Sequence, residues 1–261
     1  MDLDIPKNIC REIINVDTGN RDMTKWPNPN ECVVPIPIFS NVVRVRVVAS
    51  QFPHSQYTVN SHNYQFVATS SASPALTAQT LSLTQGTYTA DELAIEIQTQ
   101  LNSASFLNAV AASVTFDANT RKFSITRTDG LGTLTMLFGS NPLPTTSARS
   151  LMGYVEEDVG PATDVSPPQV ARIGGDDYCL LYIDGLNNSH SGGARYFAKF
   201  QLNVAPHYFA MNTFVCNPMI FRGGATLSYL KLRFESQNGF LYEFNNIDAS
   251  FDIELTYIDY A

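Results

Sequence analysis

The sequence predicts a mainly β protein: an antiparallel β-sandwich with a small α+β subdomain inserted into it. Three observations carry this expectation. First, Leu227–Tyr260 holds two runs of strict alternation. Leu230, Leu232 and Phe234 alternate with Lys231, Arg233 and Glu235, and Phe251, Ile253, Leu255 and Tyr257 alternate with Asp252, Glu254 and Thr256. A period of two gives each strand one buried and one solvated face. Between the runs, Asn238-Gly239 suits the positive φ angles of a tight primed hairpin turn. Second, Val42–Val48 alternates likewise, with Val43, Val45 and Val47 inward and Arg44 and Arg46 outward. The C-terminal hairpin is expected to pair with this strand. Third, residues 75–152 change period and read as a locally complete β-α-β-β-β unit.

Composition narrows the function. At 261 residues the chain can form one large β domain or two small ones. Charged residues are 15% against roughly 25% in an average protein, and the net charge is −8. An acidic balance lacks the clustered Lys and Arg that neutralise phosphates, so no nucleic-acid partner is expected. The local basic pairs Arg44/Arg46, Arg121/Lys122 and Lys231/Arg233 read as outward strand faces. Cys10, Cys32, Cys179 and Cys216 are scattered, without Cys-x-x-Cys or a histidine at ligand spacing, so no metal and no cofactor is expected. Met1–Cys10 carries Asp2, Asp4 and Lys7 and no apolar run, and nowhere do ~20 apolar residues follow one another. The expectation is no signal peptide, no membrane span and folding in a reducing, cytosol-like compartment.

In chain order, residues 1–30 read as an extended arm ending in Trp26-Pro27-Asn28-Pro29, where two prolines forbid helix. Such an arm is either a disordered terminus or a strap on a neighbour. Glu31–Ile38 carries Pro35 and Pro37, which places it at a sheet edge. Tyr57–Asn60 and a strand Tyr64–Thr69 follow and are assigned to the sandwich, as residues 31–72. His54 and His62 read as surface loop histidines. Within the insertion, Thr80–Thr84 is a strand and Thr89 caps a helix to about Asn102. Thr89 and Glu92 form a capping box, Tyr88 can staple onto Leu93, and Leu93, Ile97 and Leu101 make one apolar stripe. Ser113–Phe116, Lys122–Thr126 and Thr133–Phe138 are its remaining strands. Residues 153–175, with Glu156, Glu157, Asp158 and Asp164 among prolines, read as a solvated linker. These acids lack the spacing that wraps a calcium ion. The sandwich resumes at 176–261 with Tyr178–Ile183, Tyr196–Asn203 and Phe214-Val215. Residues 187–193, containing His190, form a flexible connector, and His207 lies in a similar loop.

Motifs for chemistry are sparse. Arg172-Ile173-Gly174-Gly175-Asp176-Asp177 resembles the Gly-Gly-Asp-Glu-Phe signature of diguanylate cyclases. The family's second acidic source is missing, and a turn leading into a strand explains the same residues. No Gly-x-Ser-x-Gly elbow, phosphate loop or His-Glu-x-x-His is present. The chain is therefore expected not to be an enzyme.

Several segments resemble a known family when taken in order. They are Asn28–Glu31, Val42–Val48 with Phe52-Pro53, Tyr57–Asn60, Asn63–Phe66, Gly86–Leu93 before the helix, Tyr182–Asn188, Ala198–Asn203, Leu230–Phe234, Asn238-Gly239, Tyr242–Phe244 and Ser250–Glu254. The set resembles the minor capsid and virion structural proteins of large nucleocytoplasmic DNA viruses, the giant-virus type, over most of residues 25–258. Related modules occur in phage-like tail and base proteins. The resemblance implies a jelly-roll-like sandwich, and about eight strands outside the insertion match that architecture. It also implies a virion location, with assembly in the host cytoplasm, and packing against major capsid capsomers or other minor capsid proteins, at a vertex or between capsomers. Proximity to an inner viral membrane and a homo-oligomer in the shell belong to the same expectation. The interaction surface it points to is Trp26, Pro27, Pro29, Arg44, Arg46, Lys231 and Arg233. A glycan- or receptor-binding module is the alternative, with Tyr57, Asn60, His62, Tyr64 and Asn187 as its residues.

Overall fold

A computed structural model describes residues 7–71, 78–104, 112–187, 189–191, 194–213 and 217–260. The chain is mainly β and antiparallel, and it divides into two compact units, Met1–Gln56 with Asp176–Ala261, and Tyr57–Gly175. The first unit opens with β1 (Lys7–Asp17) and β2 (Glu31–Pro53). The second contains β3 (Gln65–Ser70), β4 (Gln79–Ser82), helix α1 (Ala90–Ser103), β5 (Ala112–Asp117), β6 (Lys122–Arg127), β7 (Leu134–Leu137), the short helix α2 (Arg149–Met152), β8 (Asp158–Ala162) and β9 (Asp164–Val165). The first unit resumes with β10 (Tyr178–Ile183), β11 (Ser189–Ser191), β12 (Ala194–Tyr196), β13 (Ala198–Gln201), β14 (Phe209–Thr213), β15 (Met219–Ser236) and β16 (Ser250–Tyr260).

In the first unit the main sheet runs β1-β16-β2-β15-β10-β13, and β14 also pairs with β2. The 23-residue β2 is its spine. One edge of β2 pairs with β16 from Val42 to Gln51; the other pairs with β15 from Glu31 to Val45 and with β14 from Ala49 to Pro53. Register shifts interrupt both long ladders, and bulges bend and twist strands. The result is a curled, jelly-roll-like sheet around one core. Phe52 sits at the core's centre, its ring 5.0–5.7 Å from those of Phe200, Phe234, Tyr242 and Phe244.

The alternating runs bury Leu230, Leu232, Phe234, Phe251, Ile253 and Leu255, as their period requires. Two details differ from expectation. Val42, not Val43, faces inward, because the register slips between Arg44↔Thr256 and Val42↔Tyr257 and leaves Val43 half-exposed. The turn after β15 has positive φ at Gly239 (80°) and not at Asn238. The Gly239 N–H donates to the Ser236 carbonyl at 3.0 Å and the Ser236 N–H to the Phe240 carbonyl at 2.7 Å. This is the three-residue loop ending in an αL glycine rather than a two-residue primed turn.

The arm expected over residues 1–30 is instead largely built into the first unit. β1 pairs with β16 along its whole length, from Lys7↔Tyr260 to Asp17↔Ser250. The β-branched residues Ile9, Ile13, Ile14 and Val16 favour a strand, and Ile14 and Val16 are buried. The prolines act only later, and there the chain is held by buried Arg21. Its guanidinium donates to the carbonyls of Thr18 (2.8 Å), Trp26 (2.9 Å) and Pro27 (3.0 Å) and pairs with Asp248.

In the second unit, α1 starts at the capping box Thr89/Glu92 and buries Leu93, Ala94, Ile97 and Leu101. Tyr64–Thr69 does not join the sandwich: β3 pairs with β4 and β7 inside this unit. Nor is 153–175 a solvated linker. β8 pairs with β7 and β9 with β6, and Val165 and Ala171 enter the core. The acids that suggested solvation are used locally: Asp158 accepts the Gly139 and Ser140 N–H groups at 2.8 and 3.0 Å, and Arg149 donates to Glu156. His54, expected on the surface, is 2% exposed in the first unit. Its Nδ1 lies 2.8 Å from the Val204 carbonyl, and burial pushes its pKa down. Phe214-Val215, Cys216, and Asn188, Gly192 and Gly193 of the connector lie outside the described residues.

Candidate interaction surface

The outward face of β1, β16 and β2 is assembled by register. Residues directly opposite in an antiparallel pair point to the same face, so the pairing defines rows across the strands. One row is Arg11–Thr256–Arg44, with Ile220 of β15 beyond Arg44. The next is Ile13–Glu254–Arg46, and on the other side Ile9 lies opposite Ile258. Ile9, Ile13 and Ile220 are 72%, 61% and 64% exposed. A shallow cleft of about 230 Å³ follows at the Asp17 end of the face, lined by residues including Asn15, Ala49, Gln51, Met211 and Asp252.

Electrostatics on this face are uneven. Arg46 forks both oxygens of Glu254, Nε to Oε1 at 3.0 Å and Nη2 to Oε2 at 2.8 Å. That pairing, with Arg11 and Arg44 nearby, holds the Glu254 carboxyl below its usual pKa. Asn15 donates to Asp252 at 2.9 Å. Arg11 and Arg44 pair with no carboxylate among the described residues. β1 is also terminal in the strand order, so one side of its backbone has no ladder partner among the described residues.

The seven residues singled out from sequence do not form one patch. Arg44 and Arg46 lie together on this face. Lys231 and Arg233 are exposed on β15, opposite Val33 and Glu31, more than ten residues further along β2. Arg233 pairs there with Glu235 at 2.9 Å. Trp26 is half-buried against the first core, Pro27 is exposed, and Pro29 is buried with its carbonyl accepting from Cys32 Sγ at 3.6 Å. Trp26 and Pro29 are therefore packed into their own unit. Ile9, Arg11, Ile13, Ile220, Thr256 and Ile258 were not singled out. The cluster of β-branched residues Ile9, Ile13, Ile14 and Val16 was the available signal.

The alternative sites take other roles. Asn60 is buried: its Nδ2 donates to the Tyr57 carbonyl at 3.1 Å, and its Oδ1 accepts the His62 N–H at 2.9 Å. Tyr57, His62 and Tyr64 are half-buried in the same stretch. Asn187 Oδ1 accepts the Ile183 N–H at 3.0 Å in the first unit. In the cyclase-like run, Asp176 is buried and the Asp177 N–H meets Gln237 Oε1 at 3.3 Å as the chain enters β10. No group of three metal-ligating side chains occurs among the described residues, and no helix there is long and apolar enough to cross a membrane.

These features define an antiparallel β protein of two units, with a mixed apolar and arginine sheet face on the first. Residues 8–172 match the model of a family of unknown function (DUF5901), and the chain belongs to that family. No curated protein matches it. Among solved structures, the mavirus penton protein is similar at a TM-score of 0.49 and 8% identity, over 96% of this chain and 99% of that one. A chain of the Sputnik virophage, solved by cryo-EM, is similar at a TM-score of 0.40 and 12% identity, over 96% and 98%.

Proposed function

We propose that the chain is a non-enzymatic structural protein of a virion. In this reading it is a minor capsid component that binds major capsid capsomers or neighbouring minor capsid proteins and so stabilises an icosahedral shell. The observation that carries the reading is the outward face of β1, β16 and β2. Exposed isoleucines alternate there with arginines, and arginine set among apolar residues is the composition of protein contact surfaces. The free edge of β1 adds a second mode of contact, since an unpaired strand accepts a strand from another chain. The ordered motifs over residues 25–258 support the same assignment. Nothing in the geometry of Tyr57, Asn60, His62, Tyr64 and Asn187 favours the glycan reading.

The test is cross-linking with mass spectrometry on purified particles. The expected result is cross-links from this protein to other capsid proteins. Absence of the protein from purified particles, together with a monomeric state in solution, would remove the reading.

A further inference from the structure

On the outward face of the first unit, the row Arg11–Thr256–Arg44 has features that contact alone does not require. Thr256 is 7% exposed although it belongs to the solvent-side row of the sheet. Its cross-strand neighbours are the two arginines, one on either side. Thr256 Oγ1 and Arg44 Nε are both buried, and neither has a hydrogen-bond partner among the described residues. Unmade hydrogen bonds at buried donors are costly, and two guanidinium groups flanking one residue repel each other. In the next row Glu254 attracts both arginines from a distance, but its two oxygens accept their hydrogen bonds from Arg46. Asp252, one row further, accepts from Asn15. Two arginines that hydrogen-bond no carboxylate among the described residues therefore lie side by side on a chain whose net charge is −8.

We propose that the Arg11–Thr256–Arg44 row is a carboxylate-binding site, and that its ligand is an acidic side chain on an extended segment of a partner protein. A carboxylate that enters between the two arginines and displaces the side chains covering Thr256 can accept from both guanidinium groups and from the threonine hydroxyl, and charge-assisted bonds of this type are the strong ones. Ile9, Ile13 and Ile220 border the row and favour apolar residues on either side of the acid. That border selects a peptide over a phosphate backbone, which offers no apolar complement. The inference does not depend on the virion reading, since it concerns the chemistry the face recognises, whichever assembly supplies the segment.

The experiment uses the full chain and a fluorescent hexaglutamate peptide, with hexaglutamine as the neutral control, in an anisotropy titration at low ionic strength. Hexaglutamate binds and hexaglutamine does not. Arg11→Gln and Arg44→Gln each weaken binding about tenfold, the loss expected for one charge-assisted hydrogen bond. Thr256→Val, which keeps the packing, weakens it less, and Lys231→Gln leaves it unchanged. Thermal midpoints of the variants separate lost binding from lost folding. As a readout on the unaltered protein, the Arg44 Nε–H NMR resonance shifts on titration while that of Arg46, already donated to Glu254, stays in place. Equal losses in Lys231→Gln and Arg44→Gln would overturn the site. So would an unmoved Arg44 resonance, or a single-stranded oligonucleotide that outcompetes hexaglutamate.

Discussion

Arg127 shows how much of this fold depends on single polar side chains. It is buried in the second unit and forks Asp129, Nε to Oδ1 at 2.6 Å and Nη2 to Oδ2 at 2.7 Å, while also donating to Ser70. The hydrogen bonds from Arg127 pull the Asp129 carboxyl down to about 2. The folded value lies below the roughly 3.9 of an unfolded aspartate, so the pair contributes stability that is complete above that pH and lost as pH falls toward 2. Because solvent reaches the carboxylate, the contribution is on the order of 1 kcal/mol. Asp129→Asn also leaves Arg127 short of its countercharge, which costs about 2–3 kcal/mol at pH 7. Urea denaturation at pH 7 and pH 2.5 should show the gap between the variant and the unaltered protein narrowing at the lower pH. A gap independent of pH would mean that the carboxylate charge is not what stabilises the pair.

Among the elements, the turns separate conformational strain from steric strain. Gly239 has φ 80° and open space where a Cβ would go, so Gly239→Ala should cost only the left-handed penalty, about 1 kcal/mol. Gly153 has φ 86°, and an added Cβ would lie 2.5 Å from the Gln169 carbonyl oxygen. Its alanine variant should cost about 3 kcal/mol. Chemical denaturation of both variants checks the ordering, and similar losses would contradict it. Features that depend on neighbours in sequence were legible: the Thr89/Glu92 box, the Leu93–Ile97–Leu101 stripe and the alternating faces of β15 and β16. Features that depend on distant pairing were not. The inward turn of Val42 follows from a bulge opposite β16, and the assignment of β3 to the second unit follows from its pairing with β7. The candidate face was half legible. Arg44 and Arg46 point outward by period alone, but Arg11 joins them only through Thr256, a partner hundreds of residues away in sequence.

The division into two units makes a prediction about the chain as a system. Tyr57–Gly175 is one continuous segment with its own core around Phe66, Leu93, Ile97, Phe123 and Met136. Expressed alone, it should fold, show the circular dichroism of α1 and unfold cooperatively. The first unit is drawn from both ends of the chain, and neither Met1–Gln56 nor Asp176–Ala261 should fold by itself. A 57–175 fragment without cooperative unfolding would show that its core does not suffice.

The spine strand β2 has a consequence for how the protein is made. It leaves the ribosome well before β14, β15 and β16, which cover its two edges and all follow residue 208. At ~5–20 residues per second, β2 waits roughly 10–30 s for the first of them. During that interval the nascent chain carries a long, uncovered strand rich in valine, the kind of segment that recruits other chains. The second unit can be complete before the first has begun to close. Translation speed and chaperone supply, more than final stability, would then set the yield of the assembled fold.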